Sequence, residues 1–480
     1  MNDTFLHQVL VPVIYLVAAV LFIIGLKQLA KVRTARRGNN IAAFAMLLAV
    51  AGTLLSLGHI DYRWILGGVA VGGIIGLVAA VRVPMTAMPE MVALFNGFGG
   101  AASMLVALSQ FWMRAVEGGQ TSTSVSAAMG MATAITIGLS VLIGSITLTG
   151  SLIALLKLQN KLNRGQPILL PGRHGLNLIL AVAALGLVGW FAAGAAVPSP
   201  AMPAVWALTG ISLVLGVLLV IPIGGADMPV VVSLLNSYSG LAASAAGFVI
   251  HNNLLIIAGA MVGAAGLILT QIMCVAMNRS LLNVLVGGFG VQDGGGSKDK
   301  SEYVGVKSSG VEEAAMVLEN AERVVFVPGY GLAVAQAQHA VRELANVLEA
   351  RGASVTYAIH PVAGRMPGHM NVLLAEADVP YDQLVEMERI NPEFHNTDVA
   401  VVLGANDVVN PAAADDKASP IYGMPILSAH HARTVFVVKR SLGAGYAGIK
   451  NSLFERDNTM MIFGDAKQVL QGLVTEMKQL

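Results

Sequence analysis

Nine apolar segments, each long enough to cross a lipid bilayer, fill the first 280 residues of this chain. They lie at about 6–26, 41–58, 64–81, 88–111, 126–156, 176–195, 204–222, 229–250 and 254–276. A bilayer is crossed by about 20 apolar residues in a helix, because every backbone polar group must be satisfied within the segment. Hydrophobic residues make up 55% of the chain and charged residues only 12%, which excludes a soluble globular protein of 480 residues. The sequence therefore predicts an α-helical polytopic membrane domain of about nine transmembrane helices over residues 1–277.

The remainder of the chain has a different composition. Residues 278–310 are rich in glycine and contain a charged cluster, which favours a flexible linker. Residues 311–480 have an ordinary charge content and alternate between strand-like and helix-like segments, which predicts a soluble domain that moves relative to the membrane. Cys274 is the only cysteine, so an internal disulfide and a cysteine metal site are both excluded. We expect membrane lipid as a partner, and neither a metal nor a nucleic acid as a ligand.

The basic residues predict the orientation in the membrane. Most basic residues of the membrane half follow segments one, three, five and nine, whose ends are predicted to lie on the same side of the membrane. They are Lys27, Lys31, Arg33, Arg36, Arg37, Arg82, Lys157, Lys161, Arg164, Arg173 and Arg279. The alternate loops contain only Arg63 and Arg114. Because basic loops stay on the cytoplasmic side, we expect the N-terminus outside and the soluble domain in the cytoplasm. The first segment is expected to be retained, since it lacks a small-residue cleavage pattern.

A sequence motif is repeated at the start of the fourth and eighth segments. Met88-Pro89-x-x-Val92-x-Leu94-x-Asn96-x-Phe98-x-Gly100 returns 140 positions later as Met228-Pro229-x-x-Val232-x-Leu234-x-Asn236-x-Tyr238-x-Gly240. Both segments are predicted to enter from the cytoplasmic side, so the copies form a parallel repeat. At 1.5 Å per residue, Asn96 and Asn236 then lie at one level, about 10 Å deep.

Each copy of the motif also has an acidic neighbour. Glu90 lies beside the first copy and Asp227 beside the second, and ionisable residues close to lipid usually mark a pathway. We therefore predict a polar route that includes Asn96, Asn236, Glu90 and Asp227. An amide does not titrate, so its function there is to orient water or an imidazole. The alternative is that the amides only tie helices together, with glycine and serine allowing close approach.

The last 170 residues show the pattern of a doubly wound α/β domain. Strands are predicted at Arg323 to Val327, Val355 to His360, Val399 to Leu403, Met424 to Leu427, Thr434 to Val438 and Met460 to Phe463. Helices are predicted from Val311 to Ala321 and from the turn at Gly329 to about Arg351. This order predicts a Rossmann-like fold with a six-stranded parallel sheet.

A glycine-rich turn follows the first of these strands. It reads Gly329-Tyr330-Gly331-Leu332-Ala333-Val334, and between a strand and a helix such a turn is typical of a dinucleotide pyrophosphate site. Val334 replaces the usual third glycine or alanine. Binding residues are predicted at Gly329, Tyr330, Gly331, Ala333 and Val334, and the alternative is a tight structural turn.

Charge at the strand ends favours NADP over NAD. An NAD site normally has an acidic residue after the second strand, but residues 352–364 contain none. Lys439, Arg440 and Ser441 end a later strand and offer two cations and a hydroxyl to a 2′-phosphate. The alternative is a solvated basic strand end.

Three further loops complete the predicted cofactor site. Arg365 is a candidate pyrophosphate partner, Asp407 follows a strand end where ligands bind, and a glycine-rich loop after residue 443 is suited to close over a cofactor. The predicted residues in these loops are His360, Val362, Ala363, Gly364, Arg365, Gly404, Ala405, Asn406, Asp407, Gly445, Tyr446, Ala447 and Gly448. An ordinary surface position remains the alternative for Asp407.

Several long runs together carry a family resemblance. They are 328–338, 360–377, 404–411, Lys439 to Ser441 with Gly445 to Gly448, and 224–240 in the membrane half. These runs resemble the β subunits of proton-translocating NAD(P) transhydrogenases along essentially the whole chain. The resemblance implies nine spans, an NADP(H) domain here, and an α partner with transmembrane helices and the NAD(H) site in a two-α, two-β assembly. A separate β-type chain with no targeting presequence favours a bacterial inner membrane, with the N-terminus periplasmic.

The resemblance also implies an activity. It is reversible hydride transfer from NADH on the α subunit to NADP on this chain, coupled to inward proton translocation along the predicted pathway. Direct transfer between nicotinamides needs no acid or base, so no catalytic acid–base residue is expected, while Asp407 is implied to link the cofactor to protonation. Some related β subunits carry a histidine where Asn96 stands, so the relay imidazole is expected on a partner helix. The alternative is an ion transporter whose cytosolic Rossmann domain senses a nucleotide.

Overall fold

The computed structural model describes residues 9–29, 32–56, 62–117, 124–163, 166–193, 201–286, 303–366, 368–445 and 447–480. Its contacts divide the chain into two compact units. One is formed mainly of the apolar helices and the other mainly of the C-terminal α/β domain. Each unit is described separately below.

Within these ranges, nine helices are long and apolar enough to cross a membrane, as the sequence predicts. They are α1 Val11–Leu29, α2 Val32–Ser56, α3 Tyr62–Arg82, α4 Met88–Phe111, α5 Met131–Leu158, α6 Arg173–Ala193, α7 Ala201–Val220, α8 Met228–Val249 and α9 Asn253–Ala276. The largest boundary difference is in α2, which begins at Val32 and not near residue 41. The first turns of this helix are basic and lie before the apolar stretch. Hydropathy identifies only the apolar part of a helix, so it did not indicate this start.

The fifth segment forms a long helix, as predicted, but this helix begins at Met131 and not near residue 126. A short helix, Val125–Met129, precedes α5, and Gly130 separates the two with a φ of 87°. Glycine adopts this left-handed conformation without steric cost, and the chain changes direction there. Ser124 caps the short helix by accepting a hydrogen bond from the Ala127 N–H at 3.2 Å.

The last glycine of each repeated motif allows the next helix to approach closely. A Cβ added at Gly100 of α4 would lie 2.7 Å from the Gly144 oxygen of α5. At the equivalent Gly240 of α8, a Cβ would lie 2.5 Å from the Gly263 nitrogen of α9. Small residues at such crossings allow backbone contact between membrane helices. By contrast, α3 has no buried residue among those that the structure describes.

A buried lysine holds the connection that leads from α7 to α8. Lys157, at the end of α5, is 1% exposed, and its Nζ donates to the carbonyl oxygens of Gln166, Ile221 and Ile223. An ammonium group has three N–H donors and no acceptor. Three carbonyls therefore match the charged form, and they fix the loop after α7.

We expect the Lys157→Met variant to be less stable by at least about 2 kcal/mol, because three carbonyls would lose their donor in a buried site. The measurement is the thermal unfolding midpoint of the detergent-purified chain. Lys161→Met is the matched control, since Lys161 is exposed one turn later. Equal midpoints for the two variants would contradict the prediction.

The C-terminal unit contains an all-parallel sheet. Its strands are β1 Lys307–Ser308, β2 Arg323–Pro328, β3 Ser354–Ile359, β4 Leu384–Glu386, β5 Val399–Leu403, β6 Thr434–Lys439 and β7 Thr459–Phe463. Its helices of 8 or more residues are α10 Val311–Glu319, α12 Gln338–Ala350, α13 His369–Glu376 and α14 Ala466–Gln479, and α11 is the five-residue helix Tyr330–Val334. Shorter helices cover Leu281–Val286, Met387–Ile390 and Ala412–Asp415. The strand order β1-β7-β6-β5-β2-β3-β4 confirms the Rossmann-like fold.

The sheet has seven strands and not the predicted six. The predicted strand from Met424 to Leu427 is wrong. Pro425 has no N–H, the Ile426 oxygen accepts from the Asn391 side chain at 2.9 Å, and the Leu427 N–H donates to Val408 at 2.9 Å. The two strands that the prediction missed, β1 and β4, are two and three residues long. Edge strands this short carry no readable alternation.

The helix predicted to run from the glycine turn to about Arg351 is interrupted. Only five residues, Tyr330–Val334, form α11. Gln336 then adopts a φ of 50°, and α12 begins at Gln338. Gln338 is buried and its Nε2 donates to Glu376 of α13 at 3.2 Å. This contact between helices accompanies the break, which the alanine-rich sequence does not indicate.

The predicted linker, 278–310, has regular structure at both ends. Leu281–Val286 is helical, and β1 pairs with β7 in register Lys307 to Met460. Residues 287–302, which hold most of the glycines, lie outside the described ranges.

Candidate functional sites

The middle of the sheet contains a topological switch point. Strands β2 and β5 are adjacent and parallel, with Pro328 opposite Leu403 at their carboxyl ends. From β2 the chain continues to β3 on one side, and from β5 to β6 on the other. In open α/β sheets, ligands bind in the crevice outside such a point. The two loops that leave it begin with Gly329 and Gly404.

These two loops cross in direct backbone contact. The Gly329 N–H donates to the Leu403 oxygen and the Gly331 N–H to the Gly404 oxygen, both at 2.9 Å. A Cβ at Gly331 would lie 2.6 Å from the Gly404 Cα, and Gly404 itself has a φ of 67°. Glycine is therefore required by the loop crossing. The N–H groups of Gly329 and Gly331 donate to protein carbonyls.

The next turn brings Arg365 against the glycine turn. The Arg365 guanidinium lies 4.5 Å from the centre of the Tyr330 ring. Ala333 is buried behind this face, whereas Val334 is 47% exposed. Tyr330 and Arg365, predicted from separate motifs, thus meet at one place.

Two buried histidines hold the turn that carries Arg365. His360 accepts from the Val362 N–H at 3.2 Å, and its Nε2 lies 2.9 Å from the Pro425 oxygen. His369 accepts from the Arg365 N–H at 3.1 Å through Nδ1. Gly364, with a φ of 122°, packs on the His369 ring, and Ala363 is buried beside it. Sequence analysis missed His369, because a histidine inside a helix gives no signal of its contacts.

We expect the stability of the α/β domain to fall as the pH falls from 6.5 towards 4. Burial lowers the pKa of His360 and of His369 to about 4, against an ordinary 6.5. The folded state then binds fewer protons than the unfolded state, so stability present above pH 6.5 is lost below it, at about 3 kcal/mol per histidine. Calorimetric unfolding of the purified chain across this range measures the effect. His360→Gln should flatten the slope, whereas the exposed His339→Gln should leave it unchanged, and equal slopes would refute the assignment.

Asp407 lies against the loop predicted to close over a cofactor. Its Oδ2 accepts from the Ala447 N–H at 3.0 Å, and a Cβ at Gly445 would lie 2.4 Å from its Oδ1. Gly448, with a φ of 69°, ends this part of the loop, and Ala405 is buried before Asp407. Tyr446 lies outside the described residues.

The predicted 2′-phosphate residues divide into an inner and an outer set. Lys439 Nζ donates to the Gly443 oxygen at 2.7 Å and lies 3.1 Å from the Asn406 amide. Burial lowers the pKa of Lys439, and the charge of Asp407 acts in the opposite direction. Arg440 and Ser441 are exposed. The structure therefore places Lys439 against the Asn406 amide, next to Asp407 in the chain, and leaves Arg440 and Ser441 exposed.

A buried pair of asparagines supports this cluster and was missed by sequence analysis. Asn410 and Asn451 are both fully buried. Asn451 Nδ2 donates to the Asn406 backbone oxygen at 3.0 Å, and Asn410 Nδ2 donates to the Lys450 oxygen at 3.1 Å. Asparagine in a loop usually indicates a turn, so only the folded structure distinguishes these two.

In the membrane unit, Asn96 connects α4 to α8. It is 8% exposed, and its Nδ2 donates to the Val232 oxygen at 3.3 Å, one turn before Asn236. A Cβ at Gly99 would lie 2.6 Å from Ser239 Oγ. A later residue of α4 thus contacts a later residue of α8, so the two helices run parallel. Asn236 is half-buried, and its side chain makes no hydrogen bond with any described residue.

The two acidic residues differ in their partners. One carboxylate oxygen of Glu90 is buried without a hydrogen bond to the described part of the chain. Asp227 is 5% exposed and forms an ion pair with Arg279, whose Nε lies 3.6 Å from Oδ1. Sequence analysis used Arg279 only as an orientation signal, since the two partners are 52 positions apart in the chain and no local pattern indicates their contact.

Comparison with known proteins agrees with both units. Residues 11–476 match the family described as NAD(P) transhydrogenase beta subunit. Two relatives named NAD(P) transhydrogenase subunit beta, both from Rhodospirillum rubrum and one from strain ATCC 11170, are 50% identical to the chain over 468 residues. The alignment covers 96% of this chain and 98% of each relative. With nine apolar helices and a dinucleotide-type sheet in one polypeptide, the chain belongs to the NAD(P) transhydrogenase beta-subunit family, whose members are membrane oxidoreductases that act with an alpha subunit.

Proposed function

We propose that this chain binds NADP(H) in its α/β domain and exchanges hydride with NAD(H) on the α subunit while protons cross the membrane domain. One observation carries the proposal. The glycine turn, the Arg365 turn, Asp407 and Lys439 converge at the switch point of the sheet, in the same polypeptide as nine apolar helices.

The residues at the switch point fit a phosphorylated dinucleotide. The crossing of Gly331 and Gly404 leaves no side chain between the two loops. Arg365 is held on the Tyr330 ring beside them and supplies a cation for the pyrophosphate. Arg440 and Ser441 face outward at the end of β6, where a 2′-phosphate would find a cation and a hydroxyl. The absence of an acid in residues 352–364 supports NADP over NAD.

The bound nicotinamide supplies the hydride chemistry, and the protein supplies position and electrostatics. We assign Arg365, Arg440 and Ser441 to binding and the glycine turn to close approach. We assign the loop around Gly445 to exclusion of water. None of these groups acts as a general acid or base. A second nucleotide site is needed for exchange, and this chain has one glycine fingerprint, which supports an NAD(H) site on the α subunit.

For proton movement we propose Asn236 as the principal polar group of the membrane unit. Asn96 uses its amide on the Val232 carbonyl, which supports a role in tying α4 to α8. Asn236 retains donors and acceptors that can orient water or an imidazole from a partner helix. Glu90 and Asp227, each close to a helix start, are proposed as ionisable groups of the same pathway.

Asp407 is proposed to couple the two halves of the reaction. It accepts a hydrogen bond from the Ala447 N–H of the closing loop, and its negative charge favours the charged form of Lys439. Different affinities for NADP and NADPH would shift the population of loop conformations through these contacts. The membrane path would then be open to one side in each nucleotide state.

We further propose an assembly of two α and two β subunits in a bacterial inner membrane. The distribution of basic residues supports a periplasmic N-terminus and a cytoplasmic α/β domain. The experiment uses vesicles that contain the co-purified α and β chains. Reduction of an NAD analogue by NADPH should acidify or alkalinise the lumen in step with hydride exchange. A transporter with a nucleotide-sensing domain would show no exchange, and exchange without any pH change would refute coupling.

A further inference from the structure

We propose that Tyr303 is a positioning residue for the NADP(H) site, linking the end of the 278–310 segment to Lys439. The inference deepens the proposed function and depends on it for the identity of the ligand. It starts from Tyr303, whose contacts belong to no motif of the sequence.

Tyr303 is anchored on the segment that follows the closing loop. Its hydroxyl oxygen accepts from the Asn451 N–H at 3.1 Å. Its ring centre lies 5.8 Å from that of Phe454, and Lys450 Nζ lies 5.1 Å from the Tyr303 ring. The next residue adds a contact, since the Val304 N–H donates to Glu455 at 2.6 Å. The chain that leaves the 287–302 region is therefore attached to residues 450–455 before it enters β1.

One route leads from Tyr303 to the candidate site through asparagine amides. Fully buried Asn451 donates to the Asn406 backbone oxygen at 3.0 Å. Terminal atoms of the Asn406 amide lie 2.9 Å from Asn451 Nδ2, 2.7 Å from the Gly445 nitrogen and 3.1 Å from Lys439 Nζ. Asn406 also precedes Asp407 in the chain. The backbone at Asn451 thus sets where Asn406 and its neighbours lie.

A second route passes through an aromatic ring. Phe454 is fully buried, and Lys439 Nζ lies 5.0 Å from its ring centre on the way to Asp407. Both contacts of Tyr303, the hydroxyl on Asn451 and the ring on Phe454, therefore end at Lys439. Buried polar networks are rigid when their members are satisfied, so a displacement at Tyr303 changes the position of Lys439 and not only the local backbone.

The consequence concerns how the nucleotide site senses the chain that precedes it. A displacement of Tyr303 would therefore shift Asn451, Asn406 and the Gly445 loop together. The reverse also holds, because coupling between two sites is reciprocal. Tyr303 thus lies where the end of the 278–310 segment meets the loops of the candidate site.

The test is Tyr303→Phe in the co-purified α and β assembly. This variant keeps the ring and removes only the hydroxyl acceptor of the Asn451 N–H. We expect KM for NADPH to rise about fivefold to tenfold, as the loss of one buried hydrogen bond allows, while KM for the NAD analogue stays unchanged. Lys307→Ala is the matched control, because Lys307 lies in the same segment but pairs with exposed Asp457.

The outcomes separate the two proposals. Unchanged NADPH kinetics in Tyr303→Phe, in an assembly that exchanges hydride, would refute the Tyr303 link alone. Equal rises in both KM values would assign Tyr303 to general stability and also refute it. Absence of hydride exchange in the unmodified assembly would refute the proposed function, whatever the variant does.

Discussion

Replacing Asn236 with leucine is expected to abolish proton translocation and to leave NADPH binding intact. Leucine keeps the branched shape of the asparagine side chain, although it is larger, and offers no donor or acceptor to water or to an imidazole in the membrane. Asn236 is half-buried on α8 and its side chain makes no hydrogen bond with the described residues, so the variant breaks no side-chain hydrogen bond among them. Vesicles that contain the assembly should lose NADPH-driven pH change by at least about tenfold, a barrier increase of about 1.4 kcal/mol.

Asn96→Leu is the matched control for this prediction. It removes the hydrogen bond from Nδ2 to the Val232 oxygen, so we expect a stability loss of about 1 kcal/mol and a smaller effect on pumping. NADPH affinity, measured by titration of each variant, should match the unmodified assembly. Pumping that survives in Asn236→Leu would remove Asn236 from the pathway. An equal loss in both variants would favour the view that the two amides only hold helices together.

The second large effect is expected from Gly404→Ala, which should abolish NADP(H) binding. Gly404 has a φ of 67°, and an added Cβ would lie 2.3 Å from the Gly331 Cα. Backbone atoms cannot move away as a flexible side chain can, so the β5 loop must separate from the glycine turn. We expect the Kd for NADPH to rise at least about 100-fold, or about 3 kcal/mol. Equilibrium titration of the purified chain measures it directly.

The Gly352→Ala variant separates the effect of a positive φ from the effect of a steric clash. Gly352 also has a positive φ, 96°, but an added Cβ meets nothing within 4 Å. Its variant should cost about 1 kcal/mol of stability and keep its NADPH affinity. If Gly404→Ala binds as tightly as Gly352→Ala, the loop crossing is not needed for the nucleotide.

The membrane half shows how far hydropathy carries a prediction. All nine spans were identified, since a helix in lipid must be apolar along its whole length. The Asn96 and Asn236 repeat also predicted one direction for the two helices, and the contacts of Asn96 with Val232 and of Gly99 with Ser239 agree with it. Lys157 was read only as an orientation signal. Its three carbonyl partners come from segments that meet only after folding.

In the α/β half, too, the sequence predicts some features of the structure and not others. The glycine turn after β2, the basic end of β6 and Asp407 were recognisable because each follows a strand end, and parallel strands bring their carboxyl ends to one edge. Strands β1 and β4 were not recognisable, because their hydrogen bonds come from neighbours and not from an alternating pattern. The predicted strand around Pro425 failed for the opposite reason, as its apolar residues fit a strand but its backbone bonds to loops.

The sequence alone thus determined the class of the protein: nine apolar helices that can lie in lipid, followed by an α/β domain with a parallel sheet and a glycine-rich turn. Only the tertiary structure decided which groups act together. It placed Asn451 between Tyr303 and Asn406, brought Lys439 to the Asn406 amide and set Arg279 against Asp227. These contacts join residues far apart in the chain, and their energies depend on distances and burial that no local pattern contains.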